Sequence, residues 1–256
     1  MGMRRSPFAA LVLLAVLVGC SSPSTAPSLA PLASPSPQPT FVLEDPSTAT
    51  APAPEDPASR IVAAVTSRFL LFPRPGADEP ERYTSVNDWG QELWLPVVGT
   101  AREHGGSWFR VLVPERPNGR DAWVRERDVE VDDVVDRVVV ELGDRSLTRY
   151  RGDRVIRRME IAIGAPNTPT AVGRFFVWAR VGYDDPAGPY GNYALGLSGF
   201  SSVLTEWPGG GRMAIHGTAD PSDAGRDISH GCVRVFNPLM SRLIDVPMGA
   251  TVVIRP

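Results

Sequence analysis

Thiols are scarce in this chain, which has 256 residues and only two cysteines, Cys20 and Cys232. Two of its three histidines, His216 and His230, lie within sixteen residues of Cys232, in the stretches Ala214-Ile215-His216-Gly217-Thr218 and Ser229-His230-Gly231-Cys232-Val233-Arg234. A free thiol titrates near 8.5, so only a few per cent is nucleophilic thiolate at neutral pH. A neighbouring imidazole raises that fraction by taking the proton. Gly231, directly before the cysteine, lets the chain turn sharply and brings a substrate close to the backbone. Main-chain N–H groups in such a turn can also stabilise a tetrahedral oxyanion. These residue types point to acyl transfer through a thioester. Two other readings compete. A zinc site of His216, His230 and Cys232 would be a poor chelate with no second cysteine to complete it. An inert buried cysteine beside core histidines would leave the surrounding glycines and polar residues unexplained. His104, in the Gly-rich turn His104-Gly105-Gly106, reads as a surface residue.

The elements that must position these groups read mainly as strands. Between about Arg60 and Val131 the expected strands are Arg68–Phe72, Glu92–Val98, Ser107–Val113 and Asp121–Arg125. Turn residues separate them at Pro73-Arg74-Pro75-Gly76, His104-Gly105-Gly106 and Arg116-Pro117-Asn118-Gly119. Further strands are expected at Val135–Leu142, Leu147–Tyr150, Arg154–Ile163, Thr170–Val181 and Thr251–Ile254, with Gly-Asp turns suited to hairpins between the first of them. One helix is expected, at Asn237–Asp245. Asn237 would be its N-cap and Pro238 its first residue, with Leu239/Leu243 and Met240/Ile244 as its apolar face. Residues 21–59 are Pro, Ser, Ala and Thr with scattered acids and cannot bury enough surface to offset ordering, so they read as an extended tether. The net charge of −3 comes with no basic stripe, which excludes nucleic acid as an expected partner. The start, Met1 to Cys20, has a basic stretch and about eleven apolar residues, the dimensions of a secretory signal and too short to span a bilayer.

Three resemblances sharpen this reading. Leu17-Val18-Gly19-Cys20 resembles the lipobox of bacterial lipoproteins. That implies removal of residues 1–19, acylation of Cys20 and attachment to the outer, cell-wall side of the membrane. An ordinary cleaved signal with an incidental cysteine is the other reading. Trp108-Phe109-Arg110-Val111 and Ala122-Trp123-Val124 resemble the rhythm of bacterial Src-homology-3-like barrels, although Ala122 stands where glycine is usual. Residues 60–132 would then be a small barrel, acting either as a wall-binding, substrate-orienting module or as a packing spacer. Finally, His216-Gly217-Thr218 with Ser229-His230-Gly231-Cys232-Val233-Arg234 resembles the signature of YkuD-type L,D-transpeptidases. Val138–Leu142, Thr168-Pro169-Thr170, Gly173-Arg174-Phe175 and Tyr193–Gly199 agree, so the likeness covers nearly all of 134–256.

That last resemblance implies a mainly β fold, with a β-sandwich catalytic domain over 133–256 carrying one short helix. It implies that Cys232 attacks the carbonyl between the third and fourth residues of a donor peptidoglycan stem peptide and forms a thioester. An acceptor stem then resolves the thioester into a crosslink. His216 would be the general base, oriented by the Gly217 carbonyl. The N–H groups of Gly231 and Cys232 would serve the oxyanion, Ser229 and His230 would shape the turn, and Arg234 would pair with a substrate carboxylate. No metal or organic cofactor is implied. Hydrolysis of the thioester, as an L,D-carboxypeptidase, and attachment of a protein to the wall are enzymic alternatives. A catalytically silent wall-binding lipoprotein is the alternative from another class.

Overall fold

A computed structural model of the chain describes residues 59–206 and 208–256. The expected signal, Cys20 and the tether up to residue 58 lie outside the described residues. In chain order the first strands are β1 (Ser59–Ala64), β2 (Arg68–Leu71), β3 (Glu81–Thr84), β4 (Leu95–Glu103), β5 (Gly106–Leu112), β6 (Asp121–Arg125) and β7 (Val129–Val134). They form a five-stranded sheet in the order β6-β5-β4-β1-β7, with β2 and β3 as a separate hairpin. Strands β1, β3 and β7 were not among the sequence expectations. Ser59, assigned to the tether, is instead buried in β1, where its hydroxyl meets that of Thr251 at 2.9 Å. The strand expected at Glu92–Val98 starts later and runs on to Glu103.

The remaining strands are β8 (Asp136–Glu141), β9 (Ser146–Arg151), β10 (Arg154–Glu160), β11 (Ile163–Gly164), β12 (Gly173–Gly182), β13 (Tyr193–Phe200), β14 (Arg212–Thr218), β15 (Asp227–Ser229), β16 (Val233–Phe236) and β17 (Thr251–Arg255). Eight of them make one sheet in the order β10-β9-β8-β17-β12-β13-β14-β16. Its neighbours are antiparallel except β17/β8 and β14/β16. Alternation along the strands sends Val138, Val140, Phe175, Val177, Leu195, Leu197, Ile215, Val233 and Val235 into one core. Strand β12 also serves a second core, to which Phe176, Trp178 and Ala179 contribute together with Val62, Leu71, Leu95, Phe109 and Val124. The register of β12 against β13 shifts between Val177 and Ala179. Such a bulge places two successive side chains on one face, which is why Trp178 and Ala179 share the second core.

The expected nine-residue helix is a single turn, α1 (Asn237–Met240), followed by turns through Asp245. Its N-cap is Phe236, with no side-chain cap, and not Asn237. The backbone continues in i→i+3 bonds, Arg242 N–H to Leu239 O and Leu243 N–H to Met240 O. This spacing buries Met240 with Leu243 and leaves Ile244 41% exposed. Carbonyls at the end of this segment are taken by arginines: Arg149 donates to Arg242 O at 2.6 Å and Arg180 to Ile244 O at 2.5 Å. Arg149 itself is buried against Asp136 at 2.6 Å and reaches Asp245, so an ion pair fixes the segment that leads into β17.

Candidate active site

Cys232 sits on the last residue before β16, and His216 lies in the adjacent parallel strand β14. The register Ile215↔Val233 and His216↔Arg234 puts Ile215 and Val233 into the core and turns the intervening residues to the other face. Side chains alternate along a strand, so Ala214, His216, Cys232 and Arg234 share that face, with Cys232 one step beyond the ladder and level with Ala214. Ala194 of β13 pairs with His216, and Gly196 with Ala214. The sixteen-residue separation in sequence thus closes to neighbouring strands.

His216 is 3% exposed, and its Nδ1 lies 2.8 Å from the Gly217 carbonyl. A carbonyl oxygen only accepts, so Nδ1 carries the hydrogen and the lone pair resides on Nε2. Tyr190 packs edge-on against the imidazole, with centroids 5.3 Å apart, and stacks on Tyr183 at 5.5 Å. Burial pushes the imidazole down to about 4. The Gly217 carbonyl and Asp223 oppose that shift, and Arg234 reinforces it. Burial likewise pushes the Cys232 thiol up, while a main-chain hydrogen bond with Ala214 and the charge of Arg234 pull the other way. The pair therefore rests as thiol and neutral imidazole.

The turn before Cys232 is held by hydrogen bonds. Ser229, 1% exposed, donates from Oγ to the Cys232 carbonyl at 2.5 Å and accepts the Gly231 N–H at 3.1 Å. The Ser229 carbonyl accepts from Thr168 Oγ1 at 2.9 Å and from the Ala165 N–H at 2.8 Å. Gly231 has φ +103°, in the region that side chains rarely adopt. These bonds involve two residues with expected roles. The Gly231 N–H expected at the oxyanion is committed to Ser229. Arg234, expected to pair with a substrate carboxylate, has its Nη1 3.2 Å from Asp223, which is buried and also accepts from Thr218 at 2.8 Å. The Arg234 Nε is buried without a hydrogen-bond partner. His230 is exposed.

Several positioning groups escaped the sequence reading. Asn237 accepts the Asn192 N–H at 3.1 Å and donates to Pro186 O at 2.7 Å. It thereby docks the 183–192 segment, with Tyr190, beside Gly217. Gly191 and Gly217 touch, and a Cβ on Gly191 would lie 2.3 Å from the Gly217 backbone. The only sequence signals were the Asn-Pro pair, read as a cap, and the Pro-Tyr-Gly-Asn turn at 189–192. Among the described residues no group of His, Cys, Asp and Glu is placed to hold a metal ion.

The mainly β fold thus brings Cys232 and a tautomer-fixed His216 onto one sheet face. Residues 135–254 match the family model of the YkuD L,D-transpeptidase catalytic domain. The YkuD protein of Bacillus licheniformis is 36% identical over 121 residues, covering 47% of this chain and 66% of that protein. The YkuD protein of Bacillus subtilis is 33% identical over 119 residues, covering 46% and 65%. The chain thus spans 66% and 65% of the length of these curated relatives. Among solved structures, the ertapenem-acylated catalytic domain of the Enterococcus faecium L,D-transpeptidase aligns with TM-score 0.36 and 24% identity, covering 47% of this chain and 96% of that one. L,D-transpeptidase 3 of Mycobacterium tuberculosis, with a faropenem-derived adduct, aligns with TM-score 0.40 and 14% identity, covering 62% and 98%.

Proposed function

We propose that this protein is a peptidoglycan L,D-transpeptidase that forms crosslinks through a thioester on Cys232. The observation that carries the reading is the placement of His216 and Cys232 on one sheet face, with His216 Nδ1 tied to the Gly217 carbonyl. That bond leaves Nε2 as the proton acceptor. The thiol attacks the carbonyl carbon after the third stem residue while its proton passes to Nε2. Because the resting pair is neutral, proton transfer accompanies attack. The oxyanion is met by the Cys232 N–H, since the Gly231 hydrogen is held by Ser229. Collapse breaks the C–N bond, the leaving D-alanine amine takes the proton from His216, and the thioester remains. An acceptor amine then attacks, gives its proton to Nε2, and releases the thiol. The positive charge of Arg234 favours both the thiolate and the neutral imidazole and is itself held by Asp223, so it acts from beside the reacting atoms.

Intact-protein mass spectrometry after incubation with a carbapenem tests the reading. One covalent adduct on the wild type and none on Cys232→Ala is the expected result. A folded wild type without an adduct refutes it. Product analysis with donor and acceptor stems separates crosslinking from hydrolysis. We further propose that Cys20 is acylated and anchors the protein on the outer side of the membrane. Cys20→Ala is then expected in the soluble fraction, and its retention in membranes would rule the anchor out.

A further inference from the structure

The sheet face that carries Cys232 continues across three more strands in a single row. Cys232 is level with Ala214, Ala214 pairs with Gly196, and Gly196 pairs with Ala179 at the bulge that also turns Trp178 onto this face. The middle of the row is low. Gly196 and Ala214 carry almost no side chain, and both keep part of their surface exposed. A Cβ on Gly196 would lie 3.2 Å from Ala179 and 3.5 Å from Trp178. The far end is high, because Trp89 packs edge-on against Trp178 with centroids 5.5 Å apart and remains 54% exposed.

Trp89 is not a loosely held surface residue. It sits at the tip of a turn closed by Asn87 N–H to Gln91 O at 2.8 Å and Gly90 N–H to Asn87 O at 2.9 Å. The buried Asn87 side chain accepts the Trp89 N–H at 2.9 Å and donates to Trp178 O at 2.9 Å. Gln91 adds bonds to Arg180 O at 2.6 Å and from the Arg180 N–H at 3.0 Å. The turn between β3 and β4 is thus stapled to β12, and an exposed indole is held rigidly against the end of the row that starts at Cys232. A rigid aromatic that loses little entropy on binding is the kind of group that contributes most to recognition.

We propose that Trp89, backed by Trp178, is a subsite for the amino sugar that bears the donor stem peptide. The inference rests on the L,D-transpeptidase reading and adds the substrate's saccharide to it. Distance selects the sugar. Three strand spacings of about 4.8 Å, about 14 Å in all, separate Cys232 from β12, and the Trp89 ring lies beyond it, 5.5 Å from that of Trp178. The carbonyl attacked by Cys232 follows the third stem residue, and three extended residues span about 10 Å. The lactyl ether joining the stem to its sugar supplies the remainder, so the apolar face of the ring reaches Trp89. A free peptide of that length stops short of it.

The test uses the full chain with Cys232→Ala, which binds donors without turning them over. Calorimetry compares a disaccharide–tetrapeptide with the same tetrapeptide lacking sugar. The sugar-bearing ligand is expected to bind about tenfold tighter, about 1.4 kcal/mol. Adding Trp89→Ala is expected to abolish that difference and leave the free tetrapeptide unchanged, and Trp89→Phe to keep most of it. An equal loss for both ligands, or an undiminished sugar preference, overturns the subsite. In a chain with Cys232 intact, Trp89→Ala is expected to be acylated by a carbapenem at the wild-type rate, and slower acylation also overturns the proposal. The binding measurement needs no chemistry, so failure of carbapenem acylation in the wild type would refute the reaction while the sugar preference still decides the subsite.

Discussion

His216 couples the stability of the fold to pH in a way that its geometry makes quantitative. The ring is buried, bonded through Nδ1 to Gly217 O and covered by Tyr190, and its titration is displaced down to about 4. In the unfolded chain a histidine titrates near 6.5. As pH falls from 6.5 the unfolded state takes up the proton first, so this contribution to stability is full above 6.5 and is lost as pH falls towards 4. Integrated over that window, the linkage amounts to about 3 kcal/mol, roughly a hundredfold in the folding equilibrium. Urea unfolding of the wild type and of His216→Gln at pH 7 and pH 4 measures it. Carboxylates such as Asp227 and Asp245, held low by Arg145 and Arg149, titrate in both proteins and cancel in the comparison. The wild type is expected to lose about 3 kcal/mol more than the variant between the two pH values. Equal losses would mean that the imidazole is not buried as a neutral group, and the resting state assigned to the pair would fall with it.

Two further outcomes follow from the same site. Because burial holds the thiol above its ordinary range, alkylation of Cys232 by iodoacetamide should keep rising with pH through 9, and a plateau reached near pH 7 would instead indicate a resting thiolate–imidazolium pair. Gly191→Ala would place a methyl group 2.3 Å from the Gly217 backbone at a φ of +62°. It should release Tyr190 from His216 and slow carbapenem acylation at least tenfold while the urea midpoint falls by the equivalent of about 1–3 kcal/mol, and an unchanged acylation rate would show that the segment does not position the histidine.

Much of this site was legible from residue types alone, because a lone cysteine beside a histidine and a glycine turn has few uses. The hairpin strands were legible too, since Gly143-Asp144 and Gly152-Asp153 punctuate runs that hold Val138, Val139, Val140, Leu147, Tyr150, Val155 and Ile156. What the residues did not reveal is set by pairing across the sheet. The parallel register of β14 and β16, which puts His216 and Cys232 on one face, depends on the core preference of Ile215, Val233 and Val235 acting together. The bulge at Trp178 leaves no mark in the β12 sequence, where Phe175, Phe176, Val177 and Trp178 are all apolar and both faces are buried. Asn237 misled for a physical reason: before a proline it suits a helix cap, yet its amide here bonds to the 183–192 segment. The expected helix is a single turn because the backbone after Met240 continues in i→i+3 bonds.

Ser229 offers the sharpest separation between holding the nucleophile and activating it. Its hydroxyl donates to the Cys232 carbonyl at 2.5 Å and accepts the Gly231 N–H at 3.1 Å, so it fixes the turn on both sides of Gly231. Ser229→Ala removes both bonds in a buried place and leaves an unsatisfied donor, at a cost of about 1–3 kcal/mol. The thiol and imidazole are untouched by this change, so alkylation by iodoacetamide, which needs no oxyanion, should proceed at nearly the wild-type rate. The proposed thioester formation needs the Cys232 N–H aimed at the developing charge, and loss of one such donor costs about a hundredfold in acyl-transfer enzymes. A misaimed donor retains part of that effect, so carbapenem acylation should slow by about tenfold or more. If both rates fell together, Ser229 would be supporting the thiol itself. If neither fell, the turn would be held by Thr168 and Ala165 through the Ser229 carbonyl, and the hydroxyl would be dispensable to the chemistry.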